Sequence, residues 1–295
     1  MKAKYLYIIL LLCASTYAAD AQILELVGRA VKNKVEKDIQ QNTMTVPDKG
    51  KNIVREEGCD YIDEYGINHG GGIRIDDVVW APVNCGYHEE LFPYGKLYQW
   101  GRKLGQGYSK PFLMPKYRIG ADSTVVETYP APVDPVEALK PEFQNRFIGG
   151  EDFWAWNWCK NDMRLWNIAK VAGQTVKNPV HDPCPEGWRV ASKDELAGLL
   201  EHQSGYTIFK GQAGLWLSGS KLYSSKAQRI FLPAAGERDG DSKSFGRGNR
   251  GFYWSATHTG TEGAVYVLFF TDDEMARMDE SAPREGCSVR CVREN

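Results

Sequence analysis

Downstream of residue 52 the chain marks one helix start strongly, and that scarcity constrains the fold more than any other feature. In "VASKDELAGLLEHQ", Ser192 can cap the backbone N–H of Glu195 while the Glu195 carboxylate reaches back to Ser192, the S-x-x-E capping box. Leu196, Leu199 and Leu200 supply the apolar face. The rest is short, glycine-punctuated and aromatic. "GGGIRIDDVVWAPVNCGY" reads as two strands about an Asp-Asp turn. "RIFLPAAGERDG", "GFYWSAT" and "AVYVLFF" read as strands, the last buried on both faces, and "CSVRCVRE" as the final strand. "PYGKLYQWGRKLGQGYS" sets aromatics at helix-like spacing ahead of a glycine-rich exit. One main helix among many short strands predicts an α+β fold.

The N-terminus predicts export. Lys2 and Lys4 precede the apolar run "YLYIILLLCA", which is too short to span a bilayer, and small residues follow in "TYAADAQ". Ala19 and Ala21 give an A-x-A pattern, so residues 1–21 read as a signal peptide and Gln22 as the mature N-terminus. Cys13 offers a lipoprotein alternative, against which Leu12 fills the preceding position where a small residue is wanted. No later stretch approaches the ~18 apolar residues of a transmembrane helix. Removing Lys2, Lys4 and Asp20 leaves 34 basic and 37 acidic residues, a net charge of −3. That balance argues against nucleic acid or an anionic membrane as partner.

Residues 22–41 carry the one long helical periodicity, with Ile23, Val27, Val31, Val35 and Ile39 recurring every fourth position. The expectation is an amphipathic helix and linker over 22–45, packed on the domain or fraying from it, with self-association through 22–41 as the alternative. The globular domain then runs over 53–295. Residues 108–150 hold six of the 14 prolines and little periodicity, so about 105–150 reads as an insertion.

Six cysteines remain after export: Cys59, Cys85, Cys159, Cys184, Cys287 and Cys291. An even number in an exported chain reads first as disulfides. Cys287 and Cys291 form a C-x-x-x-C pair, which on a regular strand leaves the two about 13 Å apart, so each is expected to pair elsewhere.

Motifs for chemistry are sparse. His69, His88, His181, His202 and His258 are scattered, with no H-E-x-x-H and no C-x-x-C, so zinc has no support. Calcium would suit Glu237, Asp239, Asp241 and Asn249 in "GERDGDSKSFGRGNRG". Arg238, Lys243, Arg247 and Arg250 in the same loop compete for those carboxylates, and a solvated polar loop is the plainer reading. "SGSK" (218–221) fits S-x-x-K without its partner motifs. Asp76–Asp77, Glu89–Glu90 and Asp272–Asp273 are adjacent pairs that point apart if extended. In "EDFWAWNWCKND", Trp154, Trp156 and Trp158 alternate, and an extended strand would present them as one row able to stack on a sugar or peptide. The competing reading puts these rings in the core with Trp80, Trp100, Trp188 and Trp254.

Five segments in order, "VVWAPVNCGY", "YGKLYQWGR", "DPCPEGWRVASKDEL", "GFYWSAT" and "SVRCVRE", resemble the Fibrobacter succinogenes major paralogous domain family over about residues 53–293. Ala191 stands where that family usually has Pro. The resemblance implies a C-type-lectin-like fold: small twisted antiparallel sheets, one or two helices, and long loops that carry any binding site. By the family pattern Cys184 pairs with Cys291. The pairing of the other four is open, with Cys59–Cys85 and Cys159–Cys287 preferred.

These readings combine into a binding or adhesion module without catalytic activity, in the periplasm, on the outer membrane or secreted. Its partner would be a surface glycan or protein, met by Glu237, Arg238, Asp239, Asp241, Asn249 and Arg250 and by Trp154, Trp156 and Trp158. The alternatives are a structural subunit of a surface appendage and, more remotely, an oxidoreductase of formylglycine-generating type, from whose cysteine spacing this chain departs.

Overall fold

The structure, a computed structural model, describes residues 53–106, 127–130, 132–143, 146–149, 157–159, 165–171, 174–203, 205–219, 228–240, 244–260, 263–273 and 275–294. The expectations for residues 1–21, Cys13 and the helix over 22–41 lie outside those residues, as do Trp154, Trp156 and Asp241.

Short strands dominate. β1 (Asp60–Ile62) and β2 (Asn68–Gly71) form an antiparallel hairpin, and β3 (Ile73–Ile75) and β4 (Val78–Trp80) form a second. The expected Asp-Asp turn joins that second hairpin, with Asp76 at a positive φ of 50°, a conformation that Asp tolerates better than most residues. β5 (Tyr98–Gln99) follows as a two-residue strand where helix-like spacing had stood out, because Gly95 and Gly101, both at positive φ, break the run on either side. β6 (Glu127–Pro130) and β7 (Arg146–Gly149) pair in parallel within the expected insertion, and β8 (Asn167–Val171) and β9 (Gln174–Lys177) form a hairpin.

β10 (Trp188–Val190) leads into α1 (Lys193–Gly198). The capping box is formed in full: the Glu195 N–H donates to Ser192 Oγ at 3.3 Å, and the Ser192 N–H to Glu195 Oε2 at 2.7 Å. Leu196 and Leu199 are buried beneath the helix.

The second half supplies β11 (His202–Gln203), β12 (Thr207–Phe209), β13 (Gln212–Ser218) and β14 (Ile230–Pro233), which make one sheet. β15 (Glu237–Arg238), β16 (Ser244–Phe245), β17 (Arg250–His258), β18 (Val265–Thr271) and β19 (Arg277–Ser281) follow. β17, β18 and β19 form an antiparallel meander. The stretch expected as one final strand is split. β20 (Gly286–Cys287) joins the order β16–β15–β20–β5, and β21 (Cys291–Arg293) sits between β10 and β4 in the order β10–β21–β4–β3. The bend over 288–290 therefore sends Cys287 and Cys291 to different sheets. Among the described residues the fold is mostly small antiparallel sheets with one short α-helix, and no helix is long and apolar enough to cross a membrane.

Two large side-chain clusters fill the interior. One gathers Tyr61, Tyr98, Trp100, Trp166, Trp188 and Trp254 with the sulfurs of Cys85, Cys184 and Cys291. The other lies under α1, where Trp80, Leu215, Leu232, Tyr253 and Phe270 meet Leu196 and Leu199. Sheets this small bury little area per strand, and aromatic rings at ~150–250 Å² each make up the difference. A smaller third cluster, around Phe143, Ile148, Trp158 and Leu165, shows that the described part of the 105–150 insertion packs its own apolar residues.

Candidate functional site

The stretch "DPCPEGWRV" is built from the inside. Asp182 is buried, and its carboxylate accepts the N–H of Cys184 at 2.8 Å and of Val190 at 3.0 Å, which fixes the turn that carries Cys184. Burial pushes the Asp182 carboxyl up to about 6, against the pull of these N–H groups, Lys177 and Lys103. The Lys177 ammonium donates to the carbonyls of Cys184 (2.9 Å), Pro185 (2.8 Å) and Trp188 (2.5 Å), so one buried cation closes the loop around the two prolines. Lys103 donates to the Asp182 carbonyl.

The disulfide Cys184–Cys291 is present, with Cα atoms 5.9 Å apart, and it ties the entry of α1 to β21. Cys85 is a free, buried thiol beside it: the sulfurs of Cys85, Cys184 and Cys291 all lie within 4.8 Å of one another. The Tyr98 hydroxyl donates to Cys85 Sγ at 3.3 Å, and the Cys85 thiol donates to the Pro183 carbonyl at 3.4 Å. Tyr61 Oη lies 3.7 Å from Cys291 Sγ, and because a disulfide sulfur carries no hydrogen the phenol is the donor. Burial pushes the Cys85 thiol up to about 12, so it is held protonated at neutral pH.

The preferred pairings Cys59–Cys85 and Cys159–Cys287 are not formed. Cys59, Cys85 and Cys287 carry free thiols. The Cys85 thiol is engaged by Pro183 and Tyr98, while Cys287 and Cys159 belong to different core clusters. Burial drives the Cys287 thiol well above its ordinary range.

The loop expected to recognise a ligand is largely folded inward. Arg238 is fully buried in β15, which pairs with β16 and β20. Arg247 is buried with its guanidinium 5.5 Å from the Tyr94 ring centroid. Gly236, at φ 72°, makes the tight reversal: a Cβ there would sit 2.3 Å from the Phe245 carbonyl oxygen. Glu237, Asp239 and Asn249 are half-buried, and among the described charged residues of this loop only Arg250 is exposed. Burial, with the like charges of Glu285 and Asp239, pushes the Glu237 carboxyl up to about 8, against the pull of Arg250. Among the described residues the only trio of His, Cys, Asp or Glu side chains close enough to share a metal is Cys85, Cys184 and Cys291, and none forms among the described residues of this loop.

Trp158 is 1% exposed, and its indole N–H donates to the Trp100 carbonyl at 2.7 Å. It is a core ring, not a platform, because the third cluster closes over it.

The surface that does present apolar groups was not singled out from the sequence. On the β1–β2 hairpin, Asp63 turns inward, accepts the N–H of Tyr65 (2.8 Å) and Ile67 (2.9 Å), and meets His69 Nε2 at 2.6 Å. With Asp63 satisfied inside, Ile62, Tyr65 and Ile67 are left exposed. The 88–92 turn lies alongside: the Tyr65 and His88 ring centroids are 5.2 Å apart, and Lys96 bridges the rings of Tyr65 (5.3 Å) and Phe92 (5.2 Å) while pairing with Glu64 at 2.8 Å. With Leu91, this rim holds four of the nine exposed large apolar side chains among the described residues. The hairpin inverts the usual placement, with the aspartate of "YID" inside and its isoleucine outside.

Compared with known families, the chain matches the model of the Fibrobacter succinogenes major domain over residues 36–293. No curated protein and no solved structure matches it.

Proposed function

The chain belongs to the Fibrobacter succinogenes major domain family, and from that premise we propose that it is an exported, non-catalytic binding module of C-type-lectin-like architecture that contacts a glycan through the rim formed by the β1–β2 hairpin and the 88–92 turn. The observation that carries the reading is the clustering of Ile62, Tyr65, Ile67 and Leu91 at that rim beside the Glu64–Lys96 pair. A sugar ring offers an apolar face to stack on Tyr65 and hydroxyls for a charged pair to bind, so one ligand class uses both halves of the surface. Binding rather than turnover is favoured because the buried thiols of Cys85 and Cys287 are held protonated and shielded from outside substrates.

The test is an array of immobilised glycans and mucins, read with and without calcium. Wild-type protein is expected to bind at least one saccharide, Tyr65→Ala to lose that signal more than tenfold, and Arg250→Ala to keep it. A blank array, or a signal indifferent to Tyr65→Ala and Leu91→Asp, overturns the reading.

A further inference from the structure

The Cys184–Cys291 disulfide shares its pocket with a third sulfur. Cys85 Sγ lies within 4.8 Å of both bonded sulfurs, and its thiol donates to the carbonyl of Pro183, the residue joined directly to Cys184. A change of rotamer at Cβ moves a sulfur by about 3 Å, which is comparable with the gap that covalent contact has to close. Two phenols border the set: Tyr98 donates to Cys85, and Tyr61 donates to Cys291 and lies against Cys85 as well.

We propose that Cys85, Cys184 and Cys291 are an intramolecular thiol–disulfide exchange site, in which one disulfide is carried by three cysteines. Cys85, as thiolate, attacks Cys184 Sγ; the Cys85–Cys184 bond forms as the Cys184–Cys291 bond breaks, and the electron pair leaves on Cys291. Tyr61 donates to that departing sulfur. The proton lost by Cys85 ends on Cys291, so the step is neutral in electrons and needs neither oxidant nor reductant. Its consequence lies in the sheet. Val190 faces Cys291 across the β10–β21 ladder, and exchange removes the only covalent tie between the segment leading into α1 and β21, moving it to the loop that follows β4. The burial that keeps Cys85 protonated makes the exchange slow at neutral pH and about tenfold faster per pH unit as the thiolate fraction grows.

Two experiments test this. In Cys291→Ser, produced under oxidising conditions and checked for native near-UV circular dichroism, acid quench, alkylation and peptide mapping are expected to show a Cys85–Cys184 linked peptide. A folded variant in which Cys85 and Cys184 both carry the alkylating group overturns the proposal. Should that variant fail to fold, the wild type decides. It is incubated in a glutathione redox buffer at several pH values from 7 to 10, then quenched and mapped. A peptide linking Cys85 is expected, forming about tenfold faster per pH unit and absent from Cys85→Ser. Recovery of Cys184–Cys291 alone at every pH overturns it.

Discussion

The Arg290 guanidinium donates through Nε to the side-chain oxygen of Asn84 at 2.9 Å, in a site closed to solvent and across 206 positions of sequence. Its other nitrogens donate to the carbonyls of Ala81 (3.0 Å) and Phe231 (2.9 Å), so one side chain stitches the segment after β4, the strand β14 and the bend before β21. All three of these acceptors are neutral, and the same Asn84 donates to Tyr253 Oη at 3.1 Å.

Arg290→Ala is therefore expected to cost ~3–5 kcal/mol, because it strands three buried acceptors at once. Arg290→Lys recovers little of this, since an ammonium cannot reproduce the planar fork. The check is the denaturant midpoint, set against Arg250→Ala on the exposed end of β17, which is expected to stay within ~0.5 kcal/mol of wild type.

Asp182 gives a second expectation. Its carboxylate holds the N–H groups of Cys184 and Val190, and no neighbouring side chain replaces it in that role. Asp182→Ala is expected to destabilise by ~2–4 kcal/mol through two orphaned donors, with Cys184 less firmly placed for its disulfide. Asp182→Asn should be milder, since an amide oxygen can still accept one of the two bonds. Thermal midpoints and the yield of the Cys184–Cys291 peptide after mapping read both effects.

At the start of α1, Glu195 serves two partners: it accepts the Ser192 N–H and forms a two-bond pair with Arg189 at 2.9 and 2.6 Å. Ser192→Ala is expected to cost ~1 kcal/mol, an ordinary cap loss. Glu195→Ala should cost ~2–3 kcal/mol, because it removes the cap's return bond and leaves the buried guanidinium of Arg189 without its carboxylate. A double-mutant cycle between Glu195 and Arg189 measures the coupling.

How much of this was legible beforehand followed the range of the physics. The capping box lies within four residues, and Ser192 and Glu195 announced it. The β3–β4 hairpin was equally local, as were β14, β17 and β18, where runs of aromatic and β-branched residues mark buried strands. Long-range facts were out of reach. Charged residues in 236–250 suggested a solvated loop, yet Arg238 and Arg247 are buried, because Gly236 and Gly246 fold the segment back onto β20 and β17 and no residue-by-residue polarity records that. The exposed rim stayed hidden for the converse reason: Ile62 looks like core until Asp63 is seen to occupy the inside of the hairpin. Cys85 is the sharpest case. A cysteine count implied partners, and only the packing shows a third sulfur beside a completed disulfide.

The charged end of β15 yields the last expectation, and its sign is opposite to that of Glu195. Burial and the nearby Glu285 and Asp239 carboxylates lift Glu237 from an ordinary 4.5 to about 8. Between those values the folded protein keeps a proton that the unfolded chain has released, so stability falls as pH rises through the window. For Glu195, burial alone would raise the carboxyl, but Arg189 and the Ser192 N–H hold it below its ordinary range, so its contribution is present at neutral pH and lost on acidification. Glu237→Gln mimics the protonated carboxyl at every pH. It is expected to leave stability near wild type at pH 5 and to raise it by ~1–2 kcal/mol at pH 8.5, a figure kept well below the full linkage because the site is only half-buried. Thermal unfolding of both proteins from pH 5 to 9 reads the difference. Parallel curves would mean that Glu237 ionises as freely in the fold as in the open chain.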